Sequence, residues 1–315
     1  EKNDEIGPKT CAGGLTRKTV RELRALGLPE EAGRPCVACA DFDHGERIIS
    51  LEIERAVVRT LSRRRLGRFQ AEWTRAAGAE IRTGTPVSRI ELEARTLEAG
   101  GRRLRWRRLI GADGTRSRVR RALGLPSPRS VFAAEYNIPG VDHEHLVVSA
   151  DSGELANGYF WIFPHVDYAS VGVAIHKTQV APNTVRAYMD RRLEALGIDP
   201  GETPYEAATV EIEHLGFDFP GGVHLVGDAA GTASGLTAEG IYPALVTGEE
   251  TARRILEPGY PSPKTRSWFR LKRLHDGVAR AWMRPWARRL SFAFLPSLCR
   301  TPWARDAVCA FFMEG

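Results

Sequence analysis

Val223-His-Leu-Val-Gly-Asp-Ala-Ala-Gly231-Thr-Ala-Ser-Gly-Leu-Thr-Ala-Glu-Gly240-Ile-Tyr-Pro-Ala-Leu-Val-Thr-Gly248 is the stretch around which the chain is organised. Val223 to Val226 reads as a short buried strand, and Gly227-Asp228-Ala229-Ala230-Gly231 turns the chain without side-chain bulk. From Glu239 a helix follows, with Ile241, Ala244, Leu245, Gly248, Ala252 and Ile255 at helical spacing. An ordinary strand–turn–helix connection would look the same over Gly-Asp alone. The whole run suits a phosphorylated cofactor better: backbone N–H groups and a helix dipole can face an anion, and a carboxylate at the strand end can hold a sugar hydroxyl.

The 315 residues are 43% hydrophobic, enough for a large core in one big domain or two intertwined ones. The net charge of +6 is unevenly placed, because residues 261–315 hold eleven Lys or Arg against three acids. Five cysteines (Cys11, Cys36, Cys39, Cys299, Cys309) show no disulfide spacing and favour a reducing compartment, hence a cytoplasmic location. Cys36 and Cys39 form a lone C-x-x-C without further ligands, so no metal is expected. No stretch reaches the roughly 18 apolar residues of a spanning helix.

A second motif, Gly111-Ala-Asp113-Gly-Thr-Arg-Ser117-Arg-Val-Arg120, closes a strand and opens a short helix, Val119 to Leu123, that Gly124 and Pro126 end. It stands about 115 residues before Asp228. Together the two motifs resemble those of FAD-dependent hydroxylases and geranylgeranyl reductases, and the resemblance runs from Glu1 to about Leu256. It implies an α/β (α+β) fold: a Rossmann-like FAD-binding domain over 1–129 and 216–258, an antiparallel-sheet substrate domain inserted over 130–215, and a basic helical tail over 259–315. By the same resemblance Asp228 holds the ribityl chain of FAD. Gly227, Gly231, Thr237, Gly240 and Ile241 border the flavin, and Asp113 orders the loop near the pyrophosphate.

Other segments extend the likeness. Lys9-Thr-Cys11-Ala-Gly13-Gly14-Leu15 is by itself a flexible turn, followed by a helix from Thr16 to Leu26 that Gly27 stops. It resembles the Pro-Cys-Gly-Gly-Gly segment that sets a cysteine beside the flavin, which makes Cys11 the catalytic candidate and Gly13 and Gly14 cofactor neighbours. Glu1 falls where the family holds the adenosine ribose. The helix from Ser62 to Gly78 resembles one whose first-turn arginine reaches the FAD phosphates; Arg65 aligns best and Arg64 second, with a solvated basic face as the plain alternative. No G-x-G-x-x-G occurs in the chain. The resemblance therefore implies that the first strand, the dinucleotide loop and the first helix, about 30 residues, lie upstream of Glu1.

Residues 47–58 alternate like a strand, and 82–98 read as a short strand pair. Arg102 to Arg108, five arginines around Trp106, could suggest nucleic acid, but the alternation leads into a strand, Leu109-Ile110, taken as buried; an exposed strand edge fits better. Short segments over 130–215 are separated by turns at Pro139-Gly140, Asp151-Ser152-Gly153 and Asn157-Gly158, and a helix runs from Thr184 to Leu196. In Tyr159-Phe-Trp161-Ile-Phe163-Pro164 the three aromatics share one strand face, as core or as site. They resemble the Y-x-W-x-F-P motif with which geranylgeranyl reductases line an isoprenoid cavity.

The tail carries four of the seven tryptophans among its arginines. It suits an anionic membrane surface, a peripheral contact through 261–315, or a helical cap with snorkelling arginines. The resemblance thus implies reduction of prenyl C=C bonds with FAD and an external reductant such as NAD(P)H or ferredoxin, acting on a hydrophobic prenyl or lipid substrate. Two rivals remain: a monooxygenase or halogenase of the same fold, and a non-catalytic chain unable to bind FAD. Gly235 and Ala238 depart from the family's Pro-Leu-Thr-Gly-Glu-Gly-Ile, which leaves the substrate open.

Overall fold

The computed structural model describes residues 1–43, 48–126, 129–151, 154–155, 158–176 and 181–314. The strands are β1 (Gly14–Leu15), β2 (Arg34–Asp43), β3 (Ile48–Thr60), β4 (Val87–Glu91), β5 (Thr96–Ala99), β6 (Arg102–Arg105) and β7 (Leu109–Gly111), then β8 (Ser130–Pro139), β9 (Leu146–Asp151), β10 (Tyr159–Pro164), β11 (Tyr168–His176), β12 (Glu206–Glu211), β13 (Asp218–Phe219) and β14 (Val223–Leu225). The helices are α1 (Arg17–Ala25), α2 (Arg63–Ala76), α3 (Arg118–Ala122), α4 (Pro182–Ala195), α5 (Ile241–Leu256), α6 (Pro263–Trp282), α7 (Pro285–Leu298) and α8 (Pro302–Cys309). The class is mixed α/β, with the helices of the C-terminal region in place. The expected turns at Ser152-Gly153 and Asn157, and Arg47 ahead of β3, lie outside the described residues.

Eight strands form the main sheet in the order β1-β3-β2-β9-β10-β11-β8-β12. Every neighbouring pair is antiparallel except β2 with β9. The sheet is wider than residues 130–215, because the hairpin of β2 and β3 joins it. Alternation in β10 divides its two faces. Phe160 and Ile162 enter a core with Val171, Val173 and Ile175 beneath Val185, Met189 and Leu193 of α4, while Trp161 enters a separate cluster on the opposite face.

A small second sheet carries the chemistry-bearing turns. In it β14 pairs in parallel with β7 and antiparallel with β13. Each parallel strand leads into a turn and then a helix: β7 into the loop at Asp113 and α3, β14 into a 3-10 turn over Gly227–Ala230 and α5. The reading of Leu109-Ile110 as buried needs correction. Ile110 is 42% exposed, because β7 is the edge strand of this sheet and its outer side meets no strand among the described residues. Arg102 to Arg105 form the edge strand β6 of a third sheet, β4-β5-β6.

Helix boundaries follow local chemistry. The Ser62 hydroxyl accepts from the Arg65 N–H at 3.3 Å and caps α2, and the Ser117 hydroxyl accepts from the Arg120 N–H at 3.0 Å and caps α3. Pro182, Pro263, Pro285 and Pro302 each open a helix at a position where no backbone donor is needed.

Candidate functional site

Three segments distant in sequence meet beside the outer face of β10. The first is Cys11 to Gly14. The Cys11 N–H donates to Glu135 Oε1 at 2.7 Å, His165 Nε2 donates to the Ala12 carbonyl at 2.9 Å, and the Leu61 N–H donates to the Gly13 carbonyl at 2.9 Å. Glycine is required at 13, where φ is +73° and a Cβ would stand 2.6 Å from the Leu61 carbonyl oxygen. At Gly14 the ring of Phe163 takes the space of a side chain, with its edge 2.5 Å from where a Cβ would be. The two glycines therefore serve the protein's own packing against His165 and Phe163.

The second segment is β10 itself. Tyr159, Trp161 and Phe163 form a run of rings with centroids 6.0 and 6.4 Å apart. They cluster with Ala12, Ile212, Ala233 and Ala238. The third segment is the loop after Asp228. Tyr159 Oη donates to the Thr237 carbonyl at 2.8 Å, and burial, with a smaller contribution from Cys11 nearby, pushes the phenol well above its ordinary value. Cys11, the aromatic face and the Thr237 loop thus form one apolar wall with few charges. Pro164 closes β10, and its carbonyl accepts from the Thr60 hydroxyl.

Behind this wall lies Glu135, fully buried. Its second oxygen accepts from the Ser170 hydroxyl at 2.9 Å, which in turn accepts from Trp161 Nε1 at 3.0 Å. Burial pushes the Glu135 carboxyl up, against the lowering effect of Ser170 and the Cys11 N–H. One buried carboxyl therefore orients both the cysteine loop and the central aromatic.

Asp228 follows β14 on the Gly227–Ala230 turn. Gly227, at φ +56°, donates its N–H to Thr247 Oγ1 of α5 at 3.1 Å, which holds the turn against the helix. The Asp228 carboxylate pairs with Lys9 at 2.9 Å, the lysine being half exposed, and the Cβ position of Gly240 lies 3.4 Å from the other oxygen. Helix α5 starts at Gly240 without a side-chain cap, so the Ile241 and Tyr242 N–H groups have no partner among the described residues. Glu239 is held by Lys18 at 3.1 Å and by the Thr16 hydroxyl at 3.0 Å, and Lys18 lies between the rings of Trp268 and Tyr242. Burial raises the Glu239 carboxyl, opposed by Lys18.

Asp113 acts at one remove. Its Oδ2 accepts from the N–H groups of Arg118 (2.6 Å) and Val119 (3.4 Å), which caps α3. From α3 the buried Arg120 donates to the carbonyls of Ala229 at 3.2 Å and Thr115 and pairs with Glu211 at 3.5 Å, so the two glycine-rich turns are joined through it. Arg120 stands in the quoted motif, but nothing in the sequence indicated that it faces inward. Glu1 and Arg65 are not brought to this centre. The Glu1 carboxylate accepts from the Asn3 N–H, while the Arg65 side chain is exposed with no partner among the described residues. Arg64 and Arg68 pair with Glu5.

Sequence reasoning did not find the group that positions the third segment, which comes from α6. Trp268 Nε1 donates to the Thr232 carbonyl at 2.9 Å, and Asp276 accepts from the Gly235 N–H at 3.0 Å. Buried Lys272 donates to the Ile212 carbonyl at 2.6 Å, the Ala233 carbonyl at 2.7 Å and Asp276 at 2.9 Å. His275 joins Ser234 Oγ (2.9 Å from Nδ1) to the Phe311 carbonyl (2.8 Å from Nε2). The spacing of 265, 268, 272, 275, 279 and 282 is a buried helical stripe, and its middle members Trp268, Lys272 and His275 bond to residues 232–234 of the loop after Asp228.

A pH dependence follows. Burial is the main cause holding His275 below the ordinary imidazole range, so the folded protein favours the neutral ring. The unfolded chain takes its proton near pH 6.5, hence the stabilisation is complete above about 6.5 and is lost as pH falls toward the depressed folded value. Within that window the loss is at most about 1.4 kcal/mol per pH unit for one proton. Thermal midpoints measured from about pH 7.5 to about pH 5.5 should therefore fall more steeply for the wild type than for His275→Gln, in which buried carboxyls of opposite sign act equally. Parallel curves would refute it.

No protein-family model matches the chain. It is 28% identical over 256 residues to an uncharacterized protein of Methanosarcina barkeri, covering 78% of this chain and 65% of the relative's length. A geranylgeranyl bacteriochlorophyll reductase-like crystal structure from Thermoplasma acidophilum superposes with a TM-score of 0.71 at 21% identity, over 98% of this chain and 88% of that one, and so shares the fold. Digeranylgeranylglycerophospholipid reductase 1 of Methanopyrus kandleri is 30% identical over 275 residues, 79% of this chain and 70% of the relative. On that match, the chain belongs to the digeranylgeranylglycerophospholipid reductase family.

Proposed function

We propose that the protein is an FAD-dependent oxidoreductase that reduces C=C bonds in the prenyl chain of a lipid, with electrons from an external donor such as NAD(P)H or ferredoxin. The observation that carries this reading is the meeting of Cys11, the face of Tyr159, Trp161 and Phe163, and the Thr237–Gly240 loop. An isolated alkene offers no carbonyl to polarise, and this wall has the aromatic and aliphatic character that such a substrate needs.

The residues fit the flavin and ribityl end of FAD. The Asp228 carboxylate, held among the described residues by half-exposed Lys9, can accept from sugar hydroxyls, and the uncapped N–H groups of Ile241 and Tyr242 lie at a helix start that favours negative charge. Arg65, exposed on the first turn of α2 and without a partner among the described residues, is the candidate for the phosphates. FAD supplies hydride chemistry when bound. The protein's own residues do the rest: Asp228 binds, the β10 aromatics hold the prenyl chain and exclude water, and Glu135 keeps the Cys11 segment in place.

Purified protein incubated with FAD and desalted should keep flavin absorbance. Asp228→Asn, which removes a charged acceptor worth about 1.5–3 kcal/mol, should weaken FAD binding about 10- to 100-fold in a fluorescence titration. With dithionite as reductant, a geranylgeranyl lipid should gain two hydrogens per bond by mass spectrometry. A product carrying oxygen instead would move the assignment to a monooxygenase, and unchanged FAD affinity in Asp228→Asn would remove the aspartate from the site.

A further inference from the structure

We propose that the outer face of α7, with the arginines around it, seats the protein on a lipid surface bearing anionic headgroups. Trp286, Leu290, Phe294 and Leu298 recur every four residues along α7 and all are exposed, Trp286 and Phe294 to 65%. Trp303 on α8 is exposed to 71%. The inner face is apolar as well: Phe292 and Leu295 pack against Leu236, Trp282, Ala40 and Ala150. A helix that is apolar on both sides and, among the described residues, covered on only one leaves a face suited to a second apolar surface.

Charge selects the occupant. Arg266, Arg270, Arg273 and Arg280 line the exposed side of α6, and Arg284, Arg289 and Arg300 flank α7. None has an ion-pair partner among the described residues, and Asp306 is the one exposed acid described on α6–α8. A second copy docked symmetrically would set this arginine-rich patch against itself, which disfavours a dimer through the same face. An anionic lipid surface meets both features at once, because headgroups take the arginines while Trp and Phe enter the acyl boundary. The helix has 14 residues, about 21 Å, and so lies in the interface; no helix among the described residues is long and apolar enough to cross a membrane. Leu236, on the loop that borders the candidate site, packs in the same cluster as the inner face of α7, so a lipid substrate would enter close by.

The proposal is independent of the flavin chemistry, and its test reads binding alone. The chain is sedimented with vesicles of phosphatidylglycerol or of phosphatidylcholine, and its size is measured by light scattering. Binding to phosphatidylglycerol should exceed that to phosphatidylcholine, weaken with added salt, and fall at least about tenfold in Leu290→Glu/Phe294→Glu, a pair of exposed positions whose circular dichroism and melting should stay as in the wild type. Arg284→Gln/Arg289→Gln should lower the phosphatidylglycerol preference while leaving the fold intact. Absence of vesicle binding would overturn the proposal, as would binding that the glutamates leave unchanged. A dimer that the glutamate pair converts to monomer, without vesicle binding, would overturn it in favour of self-association.

Discussion

Gly231→Ala is expected to destabilise the protein by more than about 4 kcal/mol, the range reserved for severe backbone conflicts. Gly231 ends the 3-10 turn that carries Asp228, at φ +67°, a conformation that costs an L-residue about 1–2 kcal/mol. The larger part is steric. A Cβ there would fall inside the Glu213 carbonyl group and within 3.2 Å of the His214 nitrogen. Neither neighbour can yield freely, since Ala230 accepts from the Leu215 N–H and its carbonyl lies 3.0 Å from His214 Nδ1. Gly124 is the control, because it has φ +68° and open space around its Cβ position. Gly124→Ala should cost only the backbone strain, and the difference between the two urea midpoints isolates the clash. Equal midpoints would refute the account.

Lys272→Met should cost about 3–5 kcal/mol, the penalty for breaking a buried charged network and leaving its partners unpaired. Burial is the main cause holding its ammonium below the ordinary lysine range, opposed by Asp276. The variant fills the space but leaves the Ile212 and Ala233 carbonyls and the Asp276 carboxylate without their donor. Because those groups come from the end of β12, the loop and α6, hydrogen exchange should accelerate first at residues 231–236 and along α6. Lys272→Met/Asp276→Leu, which removes both charges, should recover part of the loss. A single variant as stable as the wild type would show that Lys272 is incidental.

Much of the fold was legible because its signals are local. Thr16 and Gly27 bracket α1, Ser117 caps α3, and the alternation of Tyr159, Trp161 and Phe163 separates the two faces of β10. The meeting of Cys11 with that face depends on pairings more than a hundred residues apart, and only the family likeness hinted at it. Ile110 was misjudged since an apolar strand residue reads alike at an edge and in the middle of a sheet. The stripe of α6 has the same periodicity whether it meets lipid or protein; that Lys272 stands on its buried side, with Asp276 beside it, became visible only with their partners, roughly 40 to 60 residues away. Glu135 gave no signal at all, because a lone glutamate in a strand usually faces water.

The single parallel joint of the main sheet, β2 with β9, has a consequence for the order of assembly. Ala38 pairs with Leu146, so about a hundred residues must be made before β2 meets this partner. At a synthesis rate of about 5–20 residues per second, that leaves the β2–β3 hairpin waiting for several seconds with one edge open. Hairpin contacts form early since their loops are short, whereas closing the long loop costs more entropy and comes late. Sheet completion is therefore the step most exposed to misassociation during biogenesis, and chaperone demand should concentrate on chains caught between these two halves.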